Sequence, residues 1–213
     1  MLLAQRRSPN SAYEPFPDVA RRNLLQALLE VPAMVRLLHL GRSRRVLEVG
    51  CGRGVALPAL AQLLRPARLV GIDVDAALLG TAAARVRERK LPVELYCADV
   101  RALPFENGAF DLVIDFGTCY HISEPARALR EIVRVLRPGG LFVSETVSSQ
   151  LLSHPLRTRG RRLPWAAAPE LHLERQAVLW KSRRKSGPTA PGVHRCATSP
   201  SSAPSTWAAT QCG

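Results

Sequence analysis

The alternation of strand-like and helix-like segments across residues 46–147 constrains the fold of this chain more than any other feature. Short apolar runs alternate with stretches of helical spacing, and the runs read VLEV, ARLVGID, VELYC, FDLVIDF and LFVSETV. Such alternation through short turns predicts an α/β protein with a doubly wound, mostly parallel sheet flanked by helices. Right-handed crossovers then place the carboxyl ends of the strands along one edge, where ligands bind.

The stretch VLEVGCGRG places Gly50, Gly52 and Gly54 directly after the first predicted strand. Glycine permits positive φ and leaves room for a ligand to lie against the backbone. Because the loop joins a strand to a helix, free N–H groups and the positive helix end face that ligand. The spacing is GxGxG, whereas the dinucleotide fingerprint is GxGxxG. Taken alone, the pattern also fits a plain tight turn.

Acidic residues follow the next two predicted strands. Asp73 ends the second strand, where an acid can bond both hydroxyls of a ribose. Its alternative role is a helix cap, for which Asp75 is better placed. Asp99 closes the third strand and also fits a turn former. A glycine loop and two acids at three successive strand ends indicate a nucleoside-like ligand.

Five motifs resemble those of class I S-adenosylmethionine-dependent methyltransferases in order and spacing: VLEVGCGRG, GIDVD, CADVRALPF, FDLVIDFGTCYHI and LREIVRVLRPGGLFV. Within that class they are most similar to the small-molecule branch that includes the quinone and sterol methyltransferases. The resemblance covers about residues 40–147. It implies a Rossmann-like fold, S-adenosyl-L-methionine as cofactor, and methyl transfer by in-line displacement to a small-molecule or lipid-like acceptor.

The resemblance also implies a cofactor site at the glycine loop and the strand ends. Glu48 would orient the loop or meet the amino group of the cofactor, or would only bond loop N–H groups. Asp73 would hold the ribose hydroxyls, and Asp99 would accept from the adenine amino group with Val100 against the ring. The predicted cofactor-binding residues are Glu48, Gly50, Cys51, Gly52, Gly54, Asp73, Val74, Asp99, Val100, Asp115 and Phe116.

The end of the fourth strand is where the resemblance implies the acceptor pocket. Asp115 and Phe116 would border the sulfonium there, although Asp115 also fits a turn role. The protein mainly aligns nucleophile, carbon and sulfur, and a base helps where the acceptor carries a proton. His121 is the candidate base, with helix capping or packing as its alternative. Tyr120 is a second catalytic candidate that better suits a pocket wall.

Three parts are expected along the chain. Residues 1–40 form an N-terminal helical segment in which Tyr13, Glu14 and Phe16 belong either to a lid over the cofactor or to a helix entry. Residues 41–185 form the methyltransferase domain, with its cofactor half at 41–147. Residues 186–213 are Ser-, Pro-, Thr-, Ala- and Gly-rich and form a disordered tail.

The region after residue 146 has too few residues for a full helix and two regular strands. The sequence therefore predicts an abbreviated C-terminal strand region, with LERQAVLW as the only late strand. The acceptor site of the family usually draws residues from this region. The shortening leaves open a partner protein of the same fold that has lost catalysis.

The charge of the chain is uneven. The net charge is +13, and residues 46–150 carry twelve basic and twelve acidic residues, so the excess lies in the flanks. A neutral centre argues against a dedicated nucleic-acid groove but allows weak attraction to nucleic acid or an acidic surface. Methylation of RNA or protein through Arg157, Arg159, Arg161 and Arg162 is therefore an alternative.

The sequence shows no membrane span, secretory signal or metal site. No apolar run approaches the ~20 residues that a span requires, and the start MLLAQRRSPN lacks the apolar core of a signal. The five cysteines include no CxxC pair, so no metal is expected. These features favour a cytoplasmic protein and leave its oligomeric state open.

Overall fold

The computed structural model describes residues 19–42, 45–145, 164–176 and 179–186. Within these residues seven strands form one sheet, and they are β1 (Arg45–Val49), β2 (Arg68–Asp73), β3 (Val93–Cys97), β4 (Phe110–Asp115), β5 (Leu136–Glu145), β6 (Leu171–Gln176) and β7 (Leu179–Arg184). The strand order is β3-β2-β1-β4-β5-β7-β6. Neighbouring strands among β1 to β5 pair in parallel. The prediction of a doubly wound, mostly parallel α/β fold is confirmed.

Helices precede the sheet and connect its parallel strands. They are α1 (Val19–Leu25), a π-helical turn (Gln26–Glu30), α2 (Val31–Leu37), α3 (Leu57–Leu64), α4 (Ala76–Glu88), α5 (Thr118–His121) and α6 (Pro125–Val135). The carboxylate of Asp75 accepts hydrogen bonds from the N–H groups of Ala77 and Leu78 at 2.9 and 3.1 Å. Asp75 therefore caps α4, as the sequence predicts, and satisfies two N–H groups that the helix leaves open.

Two apolar cores cover the two faces of the sheet. Successive side chains of a strand point to opposite faces, so Val46 belongs to one core and Leu47 to the other. Leu57 of α3 packs with the core of Val46, while Leu129 of α6 packs with that of Leu47. Both faces of β1, β2 and β4 are thus covered, whereas the edge strand β3 exposes Glu94 and Tyr96.

The prediction of a single late strand is wrong. β6 and β7 pair antiparallel with each other, and β7 pairs antiparallel with β5. The stretch LERQAVLW, at residues 173–180, covers the end of β6 and the start of β7. Antiparallel strands that follow one another need only a short connection, whereas parallel strands need a long crossover. The short stretch of residues 171–184 is therefore long enough for both β6 and β7. The described residues directly before β6, which begin at residue 164, contain a 3₁₀ turn at Trp165–Ala167.

Several predictions fall outside the described residues. They concern the lid residues Tyr13, Glu14 and Phe16, the arginines at 157–162, and residues 187–213 of the tail. None of the helices in the part of the chain that the structure describes is long and apolar enough to cross a membrane.

Candidate cofactor-binding site

The loop after β1 is fixed to the end of β2. The N–H of Gly52 donates to Oδ2 of Asp73 at 2.8 Å, and the N–H of Cys51 donates to the carbonyl of Ile72 at 2.8 Å. The other carboxylate oxygen of Asp73, Oδ1, accepts from the N–H of Asp75 at 2.9 Å. Burial raises the pKa of Asp73, and these N–H groups oppose that shift. Asp73 therefore organises the loop as well as ending its strand.

The three glycines of the loop have positive φ, but their surroundings differ. A Cβ on Gly50 would lie 1.7 Å from Oγ1 of Thr118, so no side chain fits there. A Cβ on Gly54 would lie 2.9 Å from Cβ of Ala82, which indicates close packing against α4. A Cβ on Gly52 would meet nothing within 4 Å. The main chain at Gly52 is thus the part of the loop that borders open space.

Glu48 is a buried carboxyl beside this loop. It is 1 % exposed, and its Oε2 has no hydrogen-bond partner among the described residues. Burial, followed by the charges of Asp73 and Asp115, raises the pKa of Glu48 to about 8. Because a buried polar atom costs free energy unless it is paired, this oxygen fits a donor brought by a ligand. An unpaired acid next to a bare main chain suits a ligand that carries an amino group.

Asp115 ends β4 next to β1 and is 1 % exposed. Its Oδ1 accepts from the N–H groups of Thr118 and Cys119 at 2.6 and 3.4 Å. Oγ1 of Thr118 in turn donates to the carbonyl of Val49 at 3.3 Å. Burial raises the pKa of Asp115 to about 6, against the effect of these donors. The contacts of Asp115 are therefore those of a residue that holds α5 against β1.

Asp99 follows β3 and is paired with Arg101, a partner that the sequence analysis missed. Oδ2 of Asp99 accepts hydrogen bonds from Nη2 and Nε of Arg101, at 2.5 and 2.9 Å. Nη1 of Arg101 donates to Oγ of Ser123 at 2.7 Å. Burial raises the pKa of Asp99, but Arg101 outweighs it and the net pKa lies below the ordinary value. A basic residue two positions after the acid was the available signal for this pair.

The other predicted residues lie at different depths. Tyr120 and Val100 are 2 % and 4 % exposed and belong to one apolar core. Burial, followed by the charge of Asp115, raises the pKa of the Tyr120 phenol. His121 and Phe116 are half-buried, whereas Val74 is 49 % exposed. Tyr120 is therefore in the protein interior, and Val74 offers an apolar surface beside Asp73.

Cys51 lies within the glycine loop as a buried free thiol. Burial, followed by the charge of Glu48, raises the pKa of this thiol, so it stays protonated. A neutral thiol packs as a small apolar group. Because the side chain of Cys51 is buried, only its main chain is available to contact a ligand.

A buried ion cluster joins the N-terminal helices to the same edge of the sheet. Nη2 of Arg22 in α1 lies 3.9 Å from Oε1 of Glu145, which ends β5 and is 2 % exposed. Nη1 of Arg22 lies 2.6 Å from Oε2 of Glu30. The sequence analysis did not identify this cluster, although Glu145 ends its strand as Asp73 and Asp115 end theirs. The predicted N-terminal segment is therefore attached at the carboxyl edge.

The fold and the site define a class of protein. A parallel sheet in this order, with a glycine loop after β1 and acids at the strand ends, is the arrangement of Rossmann-like α/β domains, a class that binds nucleotide-like ligands at the carboxyl edge. The open main chain at Gly52 and the unpaired oxygen of Glu48 fit such a ligand.

Comparison with known proteins shows a similarity to methyltransferases. Residues 47–144 match the family model of a methyltransferase domain. A Mycolicibacterium smegmatis protein named "Probable S-adenosylmethionine-dependent methyltransferase" is 33% identical over 138 residues, which are 65% of this chain and 51% of that protein. The crystal structure of a SAM-dependent methyltransferase from Aquifex aeolicus has the same fold, with a TM-score of 0.61 at 19% identity, and the match covers 76% of this chain and 92% of that one.

The name of a third relative states which molecules that protein methylates. The phthiotriol/phenolphthiotriol dimycocerosates methyltransferase of Mycobacterium leprae is 38% identical over 97 residues, which are 46% of this chain and 35% of that protein. The chain thus spans about half the length of the first relative and about a third of this one. Residues 47–144 are therefore similar to the methyltransferase domain of S-adenosylmethionine-dependent enzymes.

Proposed function

We propose that this protein transfers a methyl group from S-adenosylmethionine to a lipid-like small molecule. The observation that carries the proposal is the buried Oε2 of Glu48, which has no hydrogen-bond partner among the described residues, close to the open main chain of Gly52. The fold alone would not suffice, because one fold supports many activities. This pair of features suits a ligand with a positively charged amino group.

The loop and Asp73 would hold the two ends of the cofactor. The methionine part would cross the loop at Gly52, where no side chain occupies the space. Each carboxylate oxygen of Asp73 accepts one N–H group and retains acceptor capacity for a ribose hydroxyl. Because those N–H groups fix its orientation, Asp73 would bind the ribose without first having to order itself.

Glu48 would change its charge when the cofactor binds. With a pKa of about 8 it is mostly protonated at neutral pH in the unliganded protein. A cationic amino group nearby favours the ionised form and lowers the pKa again. Asp115, whose contacts hold α5, would act on the site by fixing the residues that follow it.

At the adenine end, Arg101 would orient Asp99. The carboxylate of Asp99 is 34 % exposed, so it can accept from the adenine amino group while it stays paired with Arg101. Val100 lies beneath it in the core and would support the ring. Val74 and Cys51, which neighbour Asp73 and Glu48, complete the proposed set.

Chemistry would take place near the end of β4. When bound, S-adenosylmethionine supplies an electrophilic methyl group on a sulfonium that leaves readily. His121, at the end of α5, would take the proton from the acceptor. Tyr120 would form the wall, since its buried phenol with a raised pKa does not release a proton at neutral pH. Phe116 would border the sulfonium, where an aromatic face attracts positive charge.

The acceptor class is supported by the Mycobacterium leprae relative, whose name gives phthiotriol and phenolphthiotriol dimycocerosates as its substrates. The alternatives are methylation of RNA or protein and a catalytically inactive partner of the same fold. Weak attraction to nucleic acid or an acidic surface through the basic flanks is compatible with each of them.

Incubation with a labelled methyl donor and a fractionated cell extract tests the proposal. We expect label in the lipid fraction with the wild-type protein and with Asp75→Ala, and none with Asp73→Ala. Label in RNA or protein would replace the proposed acceptor class. Cofactor binding without label in any fraction would support the inactive partner.

A further inference from the structure

The N-terminal helices expose four leucines on one side. Leu24, Leu28, Leu29 and Leu37 are 60, 62, 60 and 55 % exposed, and we call them the leucine face. The opposite side of the same helices buries Arg22, Val31, Met34 and Leu38. Transfer of an exposed leucine side chain from water to an apolar medium is favourable. The leucine face is therefore a strong apolar surface that the described fold leaves in water.

Basic side chains occur in the same segment as the leucine face. Arg21, Arg36 and Arg42 are exposed in the same segment. Glu30 is the one acid in residues 19–42, and it is paired with the buried Arg22. A helix with leucines on one face and cations around them is typical of an element that lies in the interface of an anionic bilayer.

A second copy of this chain is a less favourable occupant. Two leucine faces packed against each other would bring like-charged arginines together, and each chain carries a net charge of +13. Anionic lipid headgroups instead complement those charges while the acyl chains receive the leucines. Charge complementarity thus favours a lipid surface.

The helices also connect the leucine face to the candidate site. Arg22 points away from the face and pairs with Glu145 at the carboxyl end of β5. That end of the sheet is also where Asp73 and Asp115 lie. A bilayer in contact with the leucine face would therefore lie on the outer side of helices that are attached to the site.

We propose that the leucine face docks the protein on an anionic lipid surface. This extends the proposed function, since a lipid-like acceptor would be met there, but the docking itself requires no cofactor. Apolar burial by the leucines and attraction of the arginines to the headgroups both contribute. Docking should therefore weaken in high salt and should need anionic lipid.

Vesicle sedimentation tests the proposal. The wild-type protein is expected to bind vesicles of phosphatidylcholine with phosphatidylglycerol at least tenfold more tightly than vesicles of phosphatidylcholine alone. The double substitution Leu28→Gln/Leu29→Gln should weaken binding by tenfold or more. The control Leu63→Gln, at an exposed leucine of α3, should not. Arg36→Glu should weaken binding more than Arg87→Glu, which changes an exposed arginine of α4.

Three results would overturn the proposal: no binding to either vesicle, equal binding by the double variant, or a dimer in solution that the double variant dissociates. Calorimetry with S-adenosylmethionine on the same variant reports whether it is folded and separates the two proposals. Vesicle binding without cofactor binding would refute the proposed function and leave the docking intact. Cofactor binding without vesicle binding would refute the docking and leave the proposed function intact.

Discussion

The main-chain N–H of Gly52 donates a 2.8 Å hydrogen bond to the carboxylate of Asp73, which joins the loop after β1 to the end of β2. One acid thus has two tasks, because it holds the loop in shape and retains acceptor capacity toward the open side. Nearby, Glu48 is buried, and its Oε2 has no hydrogen-bond partner among the described residues. The site therefore combines a rigid, satisfied part with an unsatisfied one.

The two glycines at 50 and 52 should respond differently to alanine. Both have positive φ, which costs a side chain about 1–2 kcal/mol. Gly50→Ala adds a clash with Thr118, so we expect a total loss of roughly 2–5 kcal/mol of unfolding free energy. Gly52→Ala should lose only the backbone cost while weakening cofactor binding. Urea unfolding measures the loss of unfolding free energy in each of the two variants.

Gly80→Ala is the control for the glycine series. Gly80 lies in α4, and a Cβ there would meet nothing within 4 Å. This substitution should raise stability by about 0.5–1 kcal/mol. Equal losses at Gly50 and Gly52 would contradict the different surroundings described for them.

Glu48 should make the stability of the unliganded protein fall as the pH rises. Its pKa is about 8 in the folded state against an ordinary 4.5, so between these values the folded state holds a proton that the unfolded state has lost. The slope approaches about 1.4 kcal/mol per pH unit within that window. Asp115, with a pKa of about 6, contributes only at lower pH.

Urea unfolding between pH 6.5 and 8 isolates this effect. The stability of the wild-type protein should decline relative to Glu48→Gln, which stays neutral throughout. Parallel stability curves for the two proteins would show that Glu48 is not protonated in the folded state. The stabilising proton should also be released when a cationic ligand binds, and calorimetry in buffers of different ionisation enthalpy detects that release.

Arg22→Ala should destabilise the attachment of the N-terminal helices. Arg22 is 10 % exposed and its partner Glu145 is 2 % exposed, so the substitution would remove a cation that lies 3.9 Å from a buried carboxylate. Breaking a buried pair from one side costs about 3–5 kcal/mol. Limited proteolysis should then cut residues 19–42 faster. Arg21→Ala, one residue earlier and exposed, should leave the cleavage rate unchanged.

The sequence predicted the parts of the fold that depend on patterns among residues close to one another in the chain. Alternating patterns located the parallel strands, and Asp75 was recognised as a cap because capping depends on a few neighbouring residues. The second late strand was missed because β6 and β7 are stabilised by pairing with each other and with β5 rather than by an obvious pattern. The pair of Arg22 with Glu145 escaped because the two residues are distant in sequence and meet only through the tertiary fold, whereas the pair of Arg101 with Asp99 was missed although the two lie only two positions apart.

Titration calorimetry with S-adenosylmethionine on the wild-type protein, Asp73→Asn and Asp75→Asn shows whether Asp73 holds the cofactor at the glycine loop. We expect binding by the wild type, a loss of roughly 10- to 100-fold in affinity for Asp73→Asn, and near wild-type affinity for Asp75→Asn. Asp75→Asn is the matched control because it changes the neighbouring acid, which caps α4. Absence of binding by the wild type, or equal affinities for wild type and Asp73→Asn, would rule out a cofactor site built on Asp73.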